Sequence, residues 1–269
     1  MPARPLRLRI SSISAEAREH LGTYLRAVGA EVLDATDALE ASFEEPPPYL
    51  EDRVEAWLNL VHRAGGETLS TSASGGPWLD GWRACYAGVD VGRFRIRPPW
   101  AAPPIDGLTV LVDPRGGFGS GLHPTTQLAL RVLAEVADPG GSMLDVGSGS
   151  GILSVAGIRL GLRVTALEIE PAAREATLRT LRLNGVEARL DPRPLEQVAE
   201  RFDVVVANLP EAVLRRSMSA LLSARAAGGV LILGGFEVDD QDTVVASAGL
   251  PIVLRLVSDD GRWGCVALQ

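Results

Sequence analysis

The sequence predicts an α/β fold in which an open, mainly parallel sheet follows a smaller α+β unit. Three observations carry that expectation. Residues 142–151 read S-M-L-D-V-G-S-G-S-G, a short apolar strand that turns through glycines directly into the apolar stretch I-L-S-V-A-G-I-R-L. Beyond it, strand-like and helix-like stretches alternate, as they do when helices cover both faces of a parallel sheet. Before it, residues 1–74 carry short strands and helical stretches in the order βαββαβ, which fits a ferredoxin-like sandwich.

In the first unit, L-R-L-R-I at residues 6–10 alternates as a half-buried strand does. Ser14 can cap a helix that runs to about Val28 and stops at Gly29. Glu31 to Asp34 and Leu39 to Phe43 read as strands. Tyr49 to Ala64 places Leu50, Val54, Trp57, Leu58 and Val61 on one helix side, ended by Gly65-Gly66, and Glu67 to Ser72 gives a last strand. Nothing in residues 1–74 has catalytic chemistry, so this unit is expected to recognise or place a substrate. Residues 75–105 are rich in Gly, Pro and Trp and are expected to form an extended connector, with Trp78, Trp82 and Trp100 packed between the units. An aromatic site for a base or a cation is the alternative for these tryptophans.

The unit at 106–269 begins with a strand at Gly107 to Val112, the loop D-P-R-G-G-F-G-S-G-L-H-P-T-T and a helix from Pro124 to Val136. After the glycine turn come a strand at Arg163 to Glu168, a helix at Ala172 to Asn184 and strands at Glu187 to Leu190 and Phe202 to Ala207. A helix at Glu211 to Ala226, a strand at Val230 to Gly234 and a helix at Asp239 to Ala248 follow. Strands Ile252 to Val257 and Trp263 to Leu268, joined by S-D-D-G-R, read as a closing hairpin.

A strand that turns through glycines into a helix aims main-chain N–H groups and a positive helix end at a ligand. The glycines fall at 147, 149 and 151, with Asp145 two residues before the first, whereas the dinucleotide fingerprint needs its last glycine three residues after the second. The spacing resembles the first motif of class I S-adenosylmethionine (SAM) methyltransferases, although a generic Rossmann turn shares much of it. Glu168 stands at the end of the next strand, about 20 residues on, where a carboxylate can accept hydrogen bonds from a ribose diol. Its alternative role is a cap on the helix that opens at Pro171.

F-D-V-V-V-A-N-L-P at residues 202–210 delivers Asn208 to the carboxyl edge of a buried strand. The Asn208 amide oxygen and the Leu209 main-chain carbonyl offer two acceptors to a target amine. A turn or a cap before Glu211 is the plainer reading of Asn208.

Three stretches in this order and spacing, V-D-P-R-G-G-F-G-S-G-L-H-P-T-T, L-D-V-G-S-G-S-G-I-L-S-V-A and F-D-V-V-V-A-N-L-P, resemble the bacterial PrmA family. The upstream G-P-W-L-D-G-W stretch and the R-P-P-W ending are similar to that family's linker. The resemblance implies a Rossmann-like class I methyltransferase sheet with an antiparallel C-terminal hairpin, plus a small α+β ferredoxin-like N-terminal domain. It also implies SAM as cofactor and ribosomal protein L11 as the protein substrate, methylated on amine nitrogens of a lysine side chain or the N-terminus. By position it places cofactor contacts at Thr126, Gly147, Glu168 and Asn208. Gly149 belongs to the same turn, Phe118 is a candidate cover for the cofactor, and His123 is expected to orient its loop rather than act as a base. The chain departs from the family pattern at Arg115-Gly116-Gly117-Phe118, at Glu168-Ile169-Glu170-Pro171 and at Asn208-Leu209-Pro210-Glu211. Glu168 keeps the acceptor of the usual aspartate with a longer reach, while Pro210-Glu211 bears on substrate choice.

Composition narrows the classes. A net charge of −8 argues against a broad nucleic-acid footprint, so no direct nucleic-acid binding is expected. All 26 basic side chains are arginine, which removes a lysine nucleophile or Schiff base. Cys85 and Cys265 lack metal-like spacing, and no metal site is expected. No apolar run suits a membrane span or a signal peptide, so a cytoplasmic protein is expected. Methylation of another protein lysine or a small amine, non-catalytic SAM binding and nicotinamide-dependent redox chemistry are the competing functions. A nucleobase target would call for the N-P-P-Y pattern, where this chain has Glu211 in place of the tyrosine.

Overall fold

The computed structural model describes residues 6–11, 31–34, 38–43, 70–72, 88–101, 107–113, 121 and 123–269. Contacts divide the chain into two units, residues 1–85 and 86–269. In the first unit, β1 (Leu6–Ser11), β2 (Glu31–Asp34), β3 (Ala38–Phe43) and β4 (Ser70–Ser72) form an antiparallel sheet in the order β2-β3-β1-β4. Leu39, Ala41 and Phe43 alternate inward from β3 and are buried. The helices expected at 14–28 and 49–64 lie outside the described residues, as do Trp78, Trp82, Cys85 and Phe118.

The second unit opens with a small sheet of β5 (Val89–Val91), β6 (Phe94–Arg97) and β7 (Thr109–Leu111). Residues 89–97 fall inside the stretch expected as an extended connector, yet they form a hairpin turned at Gly92. The reason is F-R-I-R, whose alternation buries Phe94 and Ile96 completely. Trp100 is half-buried in a short 3-10 turn at Pro99–Ala101.

The main sheet contains β8 (Ser142–Val146), β9 (Arg163–Leu167), β10 (Arg189–Asp191), β11 (Phe202–Asn208), β12 (Arg225–Glu237), β13 (Ile252–Val257) and β14 (Trp263–Leu268). Its order is β10-β9-β8-β11-β12-β14-β13, and β14 alone runs against its neighbours. The expected parallel sheet with an antiparallel closing hairpin is therefore observed. Helices α1 (Pro124–Val136), α2 (Ile152–Arg159), α3 (Pro171–Asn184), α4 (Glu211–Ala224) and α5 (Gln241–Ala248) cover it.

Alternation along the strands feeds two cores. Met143, Val164, Val204, Val206 and Ile232 pack with side chains of α1 and α2 on one face. Leu144, Val146, Leu167, Val205 and Leu231 pack with α4 and α5 on the other. The same alternation puts Asp145 and Asn208 on the α1 and α2 face. Asn184, buried at the end of α3, donates from its amide nitrogen to the Leu111 carbonyl (2.7 Å) and accepts from the Leu111 N–H (2.8 Å). One side chain thereby fastens the small sheet to the main domain.

Candidate active site

Of the expected residues, Gly147, Gly149, Glu168, Asn208 and Leu209 lie at or just past the carboxyl ends of β9, β8 and β11, which lie side by side in that order. Chain order reverses between β8 and β11, and an open α/β sheet takes its ligand at such a switch point. Gly147, Gly149 and Gly151 all have positive φ (71°, 53° and 81°), which side-chain-bearing residues adopt at a cost. The N–H groups of Gly147 and Ser148 donate to the Leu167 carbonyl (2.8 and 3.2 Å), tying the turn to β9. Gly151 caps α2, and a Cβ there would stand 3.0 Å from the Thr177 Cα, so this glycine permits the approach of α3. Thr177 completes that contact by donating its hydroxyl to the Gly149 carbonyl (2.9 Å).

Glu168 is 7% exposed and follows β9. One carboxylate oxygen accepts from the Gly149 N–H and the other from the Glu170 N–H, both at 3.0 Å. Glu170 occupies the cap position of α3 and makes no side-chain capping bond, and Glu168 ties the glycine turn to that helix start. Each of its oxygens keeps a second lone pair for a hydroxyl.

Asn208 ends β11 opposite Gly234 of β12. Its amide oxygen is buried and has no hydrogen-bond partner among the described residues. Leu209 donates its N–H to the Gly234 carbonyl (3.0 Å), and its side chain reaches the other way, onto Gly147. A Cβ on Gly147 would lie 2.7 Å from the Leu209 Cδ2. The absent side chain at 147, expected to let a ligand approach, here makes room for Leu209. Pro210 and Glu211, the departure from the family pattern, open α4, and Glu211 accepts from Arg215 one turn on (3.0 Å).

Helix α1 brings the fourth group. Its cap is His123, whose Nδ1 lies 2.8 Å from the Thr125 hydroxyl and 3.3 Å from the Thr125 N–H, in keeping with the expected orienting role. Thr126 is therefore not the cap. It is 1% exposed, and its hydroxyl has no hydrogen-bond partner among the described residues. His123 also meets Trp263 edge to face, with centroids 5.0 Å apart. Trp263 pairs with Glu237 at the carboxyl end of β12, which sets the start of α1 on the same edge as Asn208.

Asp145, beneath the turn, is 1% exposed and accepts the Ser154 hydroxyl at 2.6 Å. Burial pushes its carboxyl up to about 7, with a further upward push from the Glu168 charge and partial relief from Ser154. At the end of β10, Arg193 hydrogen bonds hold the Asp191 carboxyl down at about 2, and the Asp191 carbonyl accepts from the Glu168 N–H (3.0 Å). Burial raises the Cys265 thiol to about 12, which favours the unreactive protonated form. Among the described residues no group of His, Cys, Asp or Glu could hold a metal ion. Nor is any described helix long and apolar enough to cross a membrane.

Three site features escaped the sequence reading. Gly234-Gly235 lies against Asn208 and Leu209, and a glycine pair inside a strand pattern is a sign of close backbone approach. Trp263 carries a buried indole nitrogen with no hydrogen-bond partner among the described residues. The Asp145–Ser154 pair spans the turn from β8 to α2, which spacing alone does not announce.

The residues present fit SAM. Two buried oxygens, on Thr126 and Asn208, lack partners among the described residues, and leaving such atoms unpaired costs about 1–3 kcal/mol each unless a ligand supplies the bond. A carboxylate with spare lone pairs stands between them and the next strand, at the position that suits a ribose. Sheet order, glycine turn and carboxylate define a class I SAM-dependent methyltransferase. The profile of the family described as Ribosomal protein L11 methyltransferase (PrmA) matches residues 12–269, and the chain belongs to that family. It is 40% identical over 197 residues to the ribosomal protein L11 methyltransferase of Geobacter sulfurreducens, covering 71% of this chain and 66% of that protein. To the ribosomal protein L11 methyltransferase of Alteromonas mediterranea it is 31% identical over 292 residues, covering 97% and 98%. The crystal structure of ribosomal protein L11 methylase from Lactobacillus delbrueckii subsp. bulgaricus superimposes with a TM-score of 0.60 at 28% identity, covering 67% of this chain and 96% of that one.

Proposed function

We propose that the chain transfers methyl groups from SAM to amine nitrogens of ribosomal protein L11, on a lysine side chain, the N-terminus or both. The observation that carries this reading is the shared edge. Glu168 and Asn208 flank the glycine turn from β9 and β11, and the buried Thr126 and Asn208 oxygens await partners. SAM, when bound, supplies a methyl group already activated on a sulfonium, so the chain need only bind, orient and exclude water. Glu168 holds the ribose diol, Gly147 and Gly149 shape the turn beneath the cofactor, and Thr126 meets its methionine or adenosine edge. A lysine amine, with a reference pKa near 10.4, must shed a proton before it can attack. The Asn208 amide oxygen, with the Leu209 carbonyl, accepts the N–H groups of the neutral amine and aims its lone pair; the desolvated edge favours that neutral form.

The domain assignment is part of the proposal: residues 1–74 recognise the substrate, 75–105 link, and 106–269 catalyse. The order β2-β3-β1-β4 supports a ferredoxin-like first unit, since it sets the first and third strands side by side at the centre. The net charge of −8 supports direct recognition of a basic protein rather than of nucleic acid, and a ribosomal-protein substrate places the work in the cytoplasm. Incubation of the full chain with labelled SAM and ribosomal proteins or whole lysate, followed by mass spectrometry, tests the assignment. Label on L11 amines is the expected result. Label on RNA alone, on another protein alone, or no transfer despite SAM binding would overturn it.

A further inference from the structure

We infer that Gly234 and Gly235 of β12 are positioning residues for the acceptor amine, setting where the Asn208 oxygen and the Leu209 carbonyl stand. The inference rests on the proposed role of Asn208 in aligning that amine. Gly234 faces Asn208 in register, and a Cβ on Gly234 would lie 3.1 Å from the Asn208 amide oxygen and 3.4 Å from the Cys265 sulfur. That oxygen is buried and has no hydrogen-bond partner among the described residues. A side chain at 234 therefore forces the amide oxygen to give by a few tenths of an ångström.

Gly235 is less forgiving. Its φ is +90°, and a Cβ there would stand 2.4 Å from the Leu209 carbonyl oxygen and 2.8 Å from the Leu209 carbonyl carbon and nitrogen. These are backbone atoms, so the exit of β11 would have to move as a whole. Between Gly234 and Phe236 the pairing of β12 with β14 also slips register, a bulge of the kind that re-aims strands beside active sites. On the opposite side Leu209 is already against Gly147. The Asn208-Leu209 dipeptide is thus held between Gly147, in the turn after β8, and Gly234-Gly235 of β12, with no room for a side chain at any of them. In-line transfer needs reacting atoms about 3–3.5 Å apart, and a misplacement near 1 Å can cost about 100-fold in rate. A methyl group at 234 is a graded version of that misplacement.

The test is a double-mutant cycle with Gly234→Ala and Asn208→Ala in the full chain, read by turnover on L11, SAM affinity by calorimetry and melting temperature. Gly234→Ala is expected to lower kcat about 10-fold or more, while SAM affinity and melting temperature stay near those of the parent. Added to Asn208→Ala, it should cost nothing further, because the atom it displaces is gone. Gly234→Ala with Cys265→Ala relieves the sulfur side alone and should not restore turnover. Unchanged turnover in Gly234→Ala, a loss that adds fully to that of Asn208→Ala, a loss that follows melting temperature, or rescue by Cys265→Ala would each overturn the inference. Parent-like turnover in Asn208→Ala would instead remove the reading of Asn208 on which it rests.

Discussion

The Leu209 side chain occupies the space that a side chain at Gly147 would fill, with Cδ2 2.7 Å from that Cβ position. The glycine turn proposed to lie beneath the cofactor and the strand end proposed to face the acceptor are therefore in direct contact. Gly147→Ala must push Leu209 aside and hold φ near +71°, a conformation that costs a residue with a side chain about 1–2 kcal/mol. SAM affinity and kcat should both fall, each about 10-fold, and Leu209→Ala in the same chain should recover part of the SAM affinity. Calorimetry and steady-state rates on the three variants check this.

Thr126 offers a trade between stability and binding. Its buried hydroxyl has no partner among the described residues, so Thr126→Val removes an unpaired polar group with little change of shape. Without SAM the variant should melt at the parent temperature or higher, by up to about 1 kcal/mol of stability. With SAM it should bind about 10-fold more weakly. A variant that loses stability and keeps affinity would mean that the hydroxyl serves the fold.

Glu168 joins the Gly149 and Glu170 N–H groups to the expected ribose position. Hydrogen bonds to a charged group are worth about 1.5–3 kcal/mol, so Glu168→Ala should weaken SAM and S-adenosylhomocysteine equally, by about 10- to 100-fold. Equal loss is the diagnostic, because both ligands carry the same ribose. Glu168→Asp, which shortens the reach by one methylene, should lose less.

Much of this arrangement was legible from local pattern. The apolar runs of β8, β11 and β12 and the glycine turn after β8 located the sheet and its ligand edge. Glu168 and Asn208 could be found because each follows such a run by one residue or ends it. Contacts between distant segments left no periodic trace. Leu209 against Gly147, Trp263 against His123 and Asn184 between Leu111 and α3 depend on how separate elements pack. The hairpin at 89–97 was obscured for another reason: prolines and glycines on both sides outweighed two short alternating runs.

Asp145 makes stability depend on pH. Its folded carboxyl titrates at about 7 against 3.8 when unfolded, chiefly because burial disfavours the charge. Between these values the folded chain holds a proton that the unfolded chain has lost, so stability falls as pH rises from about 4 to about 7 and then levels off. The loss is on the order of a few kcal/mol. Asp145→Asn keeps an acceptor for Ser154 and cannot ionise. Its melting temperature relative to the parent should climb between pH 4.5 and 7.5, and a constant offset would exclude a titrating Asp145.

Asn184 carries a structural load that its surface-type chemistry hides. Removing it leaves the Leu111 N–H and carbonyl buried and unpaired, and also ends its hydrogen bond to the Thr180 carbonyl (2.8 Å). Asn184→Ala should cost about 3 kcal/mol and lower the melting temperature by roughly 6–12 °C. SAM affinity measured well below the melting temperature should hold.

The place of β14 between β12 and β13 constrains the order of assembly. Both neighbours precede it in the chain, so during synthesis β13 emerges with no strand yet available to join it to the rest of the sheet. Pairing of β14 with β12 is what joins β13 to the sheet and brings Trp263 to the start of α1. The edge that carries the start of α1 is thus completed by β14, which follows every other strand of the sheet in the chain.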